Sequence, residues 1–188
     1  MSELRLVIVA EAPRDADVVK RLFGRAAAEE TGTPAELRLV GPSEPFTKWA
    51  DVTRLMRAQG VKPRHGHFDG KPGKPDAIAA ANALRLVRAW KQRAEVPHAV
   101  VLQRDIDKQP ERAEGLAQAK AEVPLDGTRV VVSVARPKLE AWVICAFEPT
   151  DAETKGKLAA VHQELGADPR ACSHELDASE PTAKRNAK

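Results

Sequence analysis

Three apolar runs rich in β-branched residues, LRLVIVA (Leu4–Ala10), HAVVLQ (His98–Gln103) and TRVVVSVA (Thr128–Ala135), alternate along this chain with stretches whose apolar residues recur at helical spacing. That alternation is the tightest constraint on the fold. Strands separated by helices predict an α/β sandwich around a mainly parallel sheet flanked by helices. A weaker strand candidate, AELRLVG, precedes GPSEP. The helical stretches carry their own signals. RDADVVKRLFGRAAAEE spaces Val18, Val19, Leu22, Phe23 and Ala26 along one face, with Asp15 or Asp17 as cap. FTKWADVTRLMRAQG reads as a helix closed by Gly60, and DAIAAANALRLVRAWKQRAE as one capped by Asp76, with Ile78, Leu84, Val87 and Trp90 on its apolar face. PERAEGLAQAKAE has Pro110 near its first turn, and KLEAWVICAF follows Pro137 as a further helix that buries Trp142 on its inner face. No internal repeat is present.

At 188 residues the chain has room for one domain with a full core, expected over 1–149, and a helical C-terminal segment over 150–188. The tail ends in EPTAKRNAK, which resembles the opening of another helix, so the expectation is a chain continuing past Lys188. No apolar run approaches the roughly 18 residues of a membrane span. Cys145 and Cys172, with no CxxC pair, are expected as reduced thiols in a cytoplasm. A formal charge of +3 does not by itself announce a nucleic-acid binder; only its distribution could.

The strand ends carry the chemistry. In open α/β sheets ligands gather beyond the carboxyl ends of the strands, and Glu11, Asp105 and Asp107 all fall at such ends. Arg136, Pro137 and Lys138 follow the last strand, with Glu140 close behind. Asp105 and Asp107 are two apart, so on a strand they share a face. Carboxylates so placed repel each other unless a cation or a base sits between them. A polar turn where the strand runs out explains the pair taken alone. With Glu11 added, the set suits Mg²⁺ or Mn²⁺, which take hard oxygen ligands from a few carboxylates plus water and substrate phosphate.

The segment VKPRHGHFDGKPGKP (Val61–Pro75) reads as an open loop, too rich in Gly and Pro for a packed element. Its Lys62, Arg64, Lys71 and Lys74, together with Arg136, are candidates to grip nucleic-acid phosphates, the bland reading being a solvated charged loop. His65, His67, Cys172 and His174 match no zinc spacing. A P-loop is absent. There is no tyrosine, which excludes a phosphotyrosyl intermediate within this chain.

VIVAEAPRDADVV followed by VVLQRDID resembles the Toprim domain of topoisomerases, primases and several nucleases, which carries a Glu after its first strand and a D-x-D after a later one. Where that family has Gly after the Glu, this chain has Ala12-Pro13. SVARPKLEAWVICAF is similar to the P-x-x-E-x-W feature of small Toprim-like proteins found beside ATPases in bacterial defence systems. The resemblance implies a Rossmann-like Toprim fold with Glu11, Asp105 and Asp107 as metal ligands and Glu11 also handling a proton. It implies Glu140 as ligand to a second metal and Lys138 as the cation facing transition-state phosphate. The function it implies is a Mg²⁺- or Mn²⁺-dependent nuclease acting on DNA or structured RNA, in antiviral defence, with an ATPase partner; homo-oligomerisation is left open. A receiver-type signalling module, with acids at two strand tips and a lysine at a later one, is the rival, as is a non-catalytic partner protein.

Overall fold

A computed structural model describes residues 3–32, 36–68, 71–106, 109–136, 139–145 and 148–172; for Thr31, Lys71, Glu140 and Ala141 it describes the backbone alone. Strand β1 (Glu3–Ala10) buries its last five residues, as its unbroken apolar run predicts. Helix α1 (Pro13–Thr31) begins on a proline, whose fixed φ suits a first turn. The cap residue is Ala12 rather than Asp15 or Asp17; Asp15, in the first turn, reaches back to accept the Ala12 N–H at 3.0 Å. Strand β2 (Glu36–Leu39) returns the chain to the sheet. Next come β3 (Thr47–Lys48), a single 3₁₀ turn (Trp49–Asp51) and α2 (Val52–Ala58). One continuous helix was the expectation for this stretch; the backbone instead pairs Thr47 and Lys48 with Val9 and Ala10 before turning.

The segment expected as an open loop contains a small antiparallel hairpin, β4 (His67–Phe68) and β5 (Lys71–Pro72). Phe68, its one aromatic residue, is buried and anchors the hairpin to the core. Helix α3 (Ala77–Lys91), strand β6 (Ala99–Asp105), helix α4 (Arg112–Glu122) and strand β7 (Arg129–Ala135) follow. Last are α5 (Leu139–Cys145) and α6 (Ala152–Leu165), the latter capped by Asp151, which accepts the Thr154 N–H at 2.7 Å.

The main sheet runs β2-β1-β6-β7, and β3 shares the β2 edge of β1. β1 pairs in parallel with β2, β3 and β6, the last in the register Leu6↔Ala99 to Val9↔Leu102. This is the α/β architecture with a mostly parallel sheet that the alternating pattern predicts. Side chains alternate across the strands. Val7, Val9, Val100 and Leu102 face a core shared with α2, α3 and α4, while Ile8, Ala10 and Val101 face Ala16 and Val19 of α1. Each fully buried aliphatic side chain of this kind contributes about 1.5–3 kcal/mol.

The chain divides into two compact units, Met1–Arg104 with Gln109–Val134, and Asp105–Lys108 with Ala135–Lys188. In the second, Leu139 is buried, whereas Trp142, expected in the core, is 43% exposed. The buried stripe of the short α5 passes through Leu139 with Val143 and Ile144 half-buried, leaving the indole outside it. Among the described residues no helix is long and apolar enough to cross a membrane.

Candidate functional site

Arg104 is the hub of the first unit. Alternation along β6 puts it on the face of Val100 and Leu102, the face covered by α2, α3 and α4. Its side chain is only 19% exposed. Nη1 meets Glu11 Oε1 at 2.5 Å, just past the end of β1. Nε and Nη2 donate to the two carboxylate oxygens of Asp76 at 2.8 and 3.4 Å. Arg112, at the start of α4, brings its own Nε to 3.3 Å from Asp76 Oδ2. The Arg104 guanidinium also lies 5.6 Å from the ring centroid of Trp49, within cation–π range. Trp49 is fixed in turn, its indole N–H donating to the Gln103 carbonyl at 2.8 Å. The amide of buried Gln103 accepts the Ser133 hydroxyl at 2.7 Å.

Asp76 departs from the helix-cap role its position predicts. It has φ 64, in the left-handed region, and makes no side-chain bond to the first turn of α3. The physical reason is competition. Arg104 offers two charge-assisted bonds, which are stronger than a bond to a neutral backbone N–H, and the Arg112 charge lies close by. Neither Arg104 nor this use of Asp76 was singled out by sequence reasoning. The available signal was a lone charged residue, Arg104, between an apolar strand and two acids.

The second unit holds Asp105, the last residue of β6. Its Oδ1 accepts the Leu139 N–H at 3.2 Å, which ties the strand end to the first turn of α5. The neighbouring Ile106 N–H donates to Ala135 O at 2.9 Å. Arg136 is exposed, and Glu140 lies within α5. Asp107 and Lys138 lie outside the described residues. Among the described residues no group of three or more His, Cys, Asp or Glu side chains is placed to hold a metal. Glu11 and Asp105 are hard carboxylate donors, the chemistry that Mg²⁺ and Mn²⁺ select.

The basic residues of the 61–75 segment are less alike than the sequence suggests. Arg64 is built into the fold: its guanidinium pairs with Glu122, donates to His67 O at 2.9 Å and covers the Phe68 ring at 4.4 Å. Its backbone exchanges two hydrogen bonds with the buried Asn82 side chain. Lys74 is exposed and pairs with Glu114 at 2.9 Å, which raises the lysine above its ordinary pKa through the hydrogen bond first and the charge second. Lys62 is exposed. A shallow cavity of about 400 Å³ opens here, lined by Thr53, Arg64, His65, Lys74, Asp76 and Asn82 among others. His67 sits in β4, and His174 lies outside the described residues.

No family model matches this chain, and neither does a curated protein or a solved structure. Function is therefore read from its own residues.

Proposed function

We propose that this chain is a divalent-metal-dependent nuclease. The observation that carries the reading is topological. β1 and β6 are adjacent parallel strands of one sheet; Glu11 follows the first, and Asp105 closes the second. Acids at neighbouring carboxyl ends are where an open α/β sheet places its ligand-binding groups. In this reading Glu11, Asp105 and Asp107 hold Mg²⁺ or Mn²⁺, and Glu140 holds a second ion. When bound, the metal supplies an activated water and stabilises the leaving oxygen of a phosphodiester. The chain's own residues do the rest. Asp105 is oriented by the Leu139 N–H, which donates to its Oδ1 at 3.2 Å. Lys138 offsets charge on the reacting phosphate, and Glu11 takes the proton. Lys62, Lys71, Lys74 and Arg136 would meet the nucleic-acid backbone, Lys62 and Lys74 being exposed, whereas Arg64 stays committed to Glu122 and Phe68. The Toprim resemblance supports a place in cytoplasmic antiviral defence beside an ATPase.

The test is cleavage of plasmid DNA, single-stranded DNA and total tRNA by wild type and Asp105→Ala, with Mg²⁺, Mn²⁺ or EDTA. The expected result is cleavage that needs metal and is lost, by a factor of about a thousand or more, in the variant. Metal-independent cleavage, or an Asp105→Ala variant as active as wild type, would remove the proposal. Absence of cleavage, with a cation-dependent rise in melting temperature that Asp105→Ala abolishes, would turn the reading to a metal-binding partner module.

A further inference from the structure

We infer that Arg104 is a phosphate-binding residue held masked by Glu11, and that its ligand is the oxyanion of a phosphodiester or phosphate monoester. The guanidinium has two separate sets of partners. Nε and Nη2 form a fork on Asp76, while Nη1 is given to Glu11 alone among the described residues. The fork and the Trp49 face hold the guanidinium plane whether or not Glu11 is present. Asp76 does not serve Arg104 alone, since the Arg112 Nε also lies 3.3 Å from its Oδ2. Once the Glu11 carboxylate turns elsewhere, Arg104 keeps its place but has lost one of its two carboxylate partners and carries an unused N–H. A planar, prepositioned donor of that kind suits an oxyanion. Glu11 is the more mobile partner on physical grounds: its side chain is 44% exposed against 19% for Arg104, and it lies in a bend just after β1.

Only the trigger rests on the proposed function. A divalent cation that recruits Glu11 would release Nη1, so cation and phosphate would bind with positive coupling. The masking itself is independent of any metal, which makes the two separable.

The experiment measures binding of a short fluorescein-labelled oligothymidylate by anisotropy, in EDTA and in Ca²⁺, for wild type, Glu11→Ala, Arg104→Gln and the double variant. Glu11→Ala should bind about tenfold more tightly than wild type in EDTA, the scale of one charge-assisted hydrogen bond. The double variant should lose that gain. It carries the same removal of Glu11, so a gain from net charge alone would persist. Should Arg104→Gln fail to fold, as judged by circular dichroism, Arg104→Lys replaces it. An ammonium cannot span both Asp76 oxygens and an oxyanion, so the gain should fall there too. Wild type should tighten in Ca²⁺ by a similar factor. A gain in Glu11→Ala without any Ca²⁺ response in wild type would uphold the masking and remove Glu11 as a metal ligand. No gain in Glu11→Ala, or a gain that survives loss of Arg104, would overturn the inference.

Discussion

Asp76 shows how one residue can be asked for two incompatible things. As the residue before α3 it should cap the helix; as an acid shared by two arginines it pairs with them instead. Its backbone then adopts φ 64, where Asp and Asn are tolerated far better than other non-glycine residues. Two substitutions separate the charge from the conformation. Asp76→Asn keeps the left-handed preference and removes the charge, leaving Arg104 and Arg112 to share an amide oxygen. We expect a loss of about 1–2 kcal/mol in urea unfolding, since the carboxylate is mostly buried. Asp76→Ala should cost roughly 1 kcal/mol more, the price of a left-handed β-carbon with no polar side chain to offset it. Equal losses for the two variants would show that the backbone conformation carries no strain. None of this was legible in the sequence. Arg104 and Asp76 are 28 residues apart, and nothing local in either neighbourhood records that a strand tip and a helix start will meet.

The elements were far easier to read, because periodicity is a local property. The apolar runs of β1, β6 and β7 and the 3.6-residue spacing of α1, α3 and α4 each follow from neighbours along the chain. Reading failed where a tertiary contact overrode composition. Phe68 pulls a Gly- and Pro-rich stretch into a hairpin, and pairing with β1 turns Thr47 and Lys48 from helix to strand. Gly115 shows the same dependence at the packing of α3 on α4. A β-carbon there would lie 1.9 Å from the Pro75 carbonyl oxygen and 3.0 Å from the Ala77 nitrogen. In an isolated helix Gly→Ala stabilises by about 1 kcal/mol. Here the helix starts must separate to admit one methyl group, and overpacking of that kind typically costs about 1–3 kcal/mol. Gly115→Ala should therefore lower the midpoint of urea unfolding. It should also loosen the Arg104 bridge, because Pro75 immediately precedes Asp76. An unchanged or raised midpoint would mean that α4 is not seated on the α3 entry.

For the whole molecule, the nuclease proposal raises the question of which cations in a chain of net charge +3 would meet a polyanion. Part of the positive charge is committed to pairs inside the fold. Arg64 is committed to Glu122 and Phe68, and Arg104 to Asp76 and Glu11, so neither is a ready surface cation. Lys62 and Lys74 differ: both are exposed, and the Lys74–Glu114 pair has more than half of each side chain in water, where such pairs are worth little. Under the proposed function, binding to duplex DNA should depend on salt through few contacts, each phosphate neutralised adding about −0.9 to the slope of log K against log salt. Lys62→Ala and Lys74→Ala should each reduce that slope by about one unit while leaving the unfolding midpoint nearly unchanged. Arg64→Ala should do the reverse, lowering stability through the Phe68 and Glu122 contacts with little change in slope. Titrations at several salt concentrations, paired with urea melts, separate the two behaviours. If Arg64→Ala flattened the salt dependence and the lysine variants did not, the nucleic acid would lie against the built-in arginine, and its pairing with Glu122 would have to open on binding.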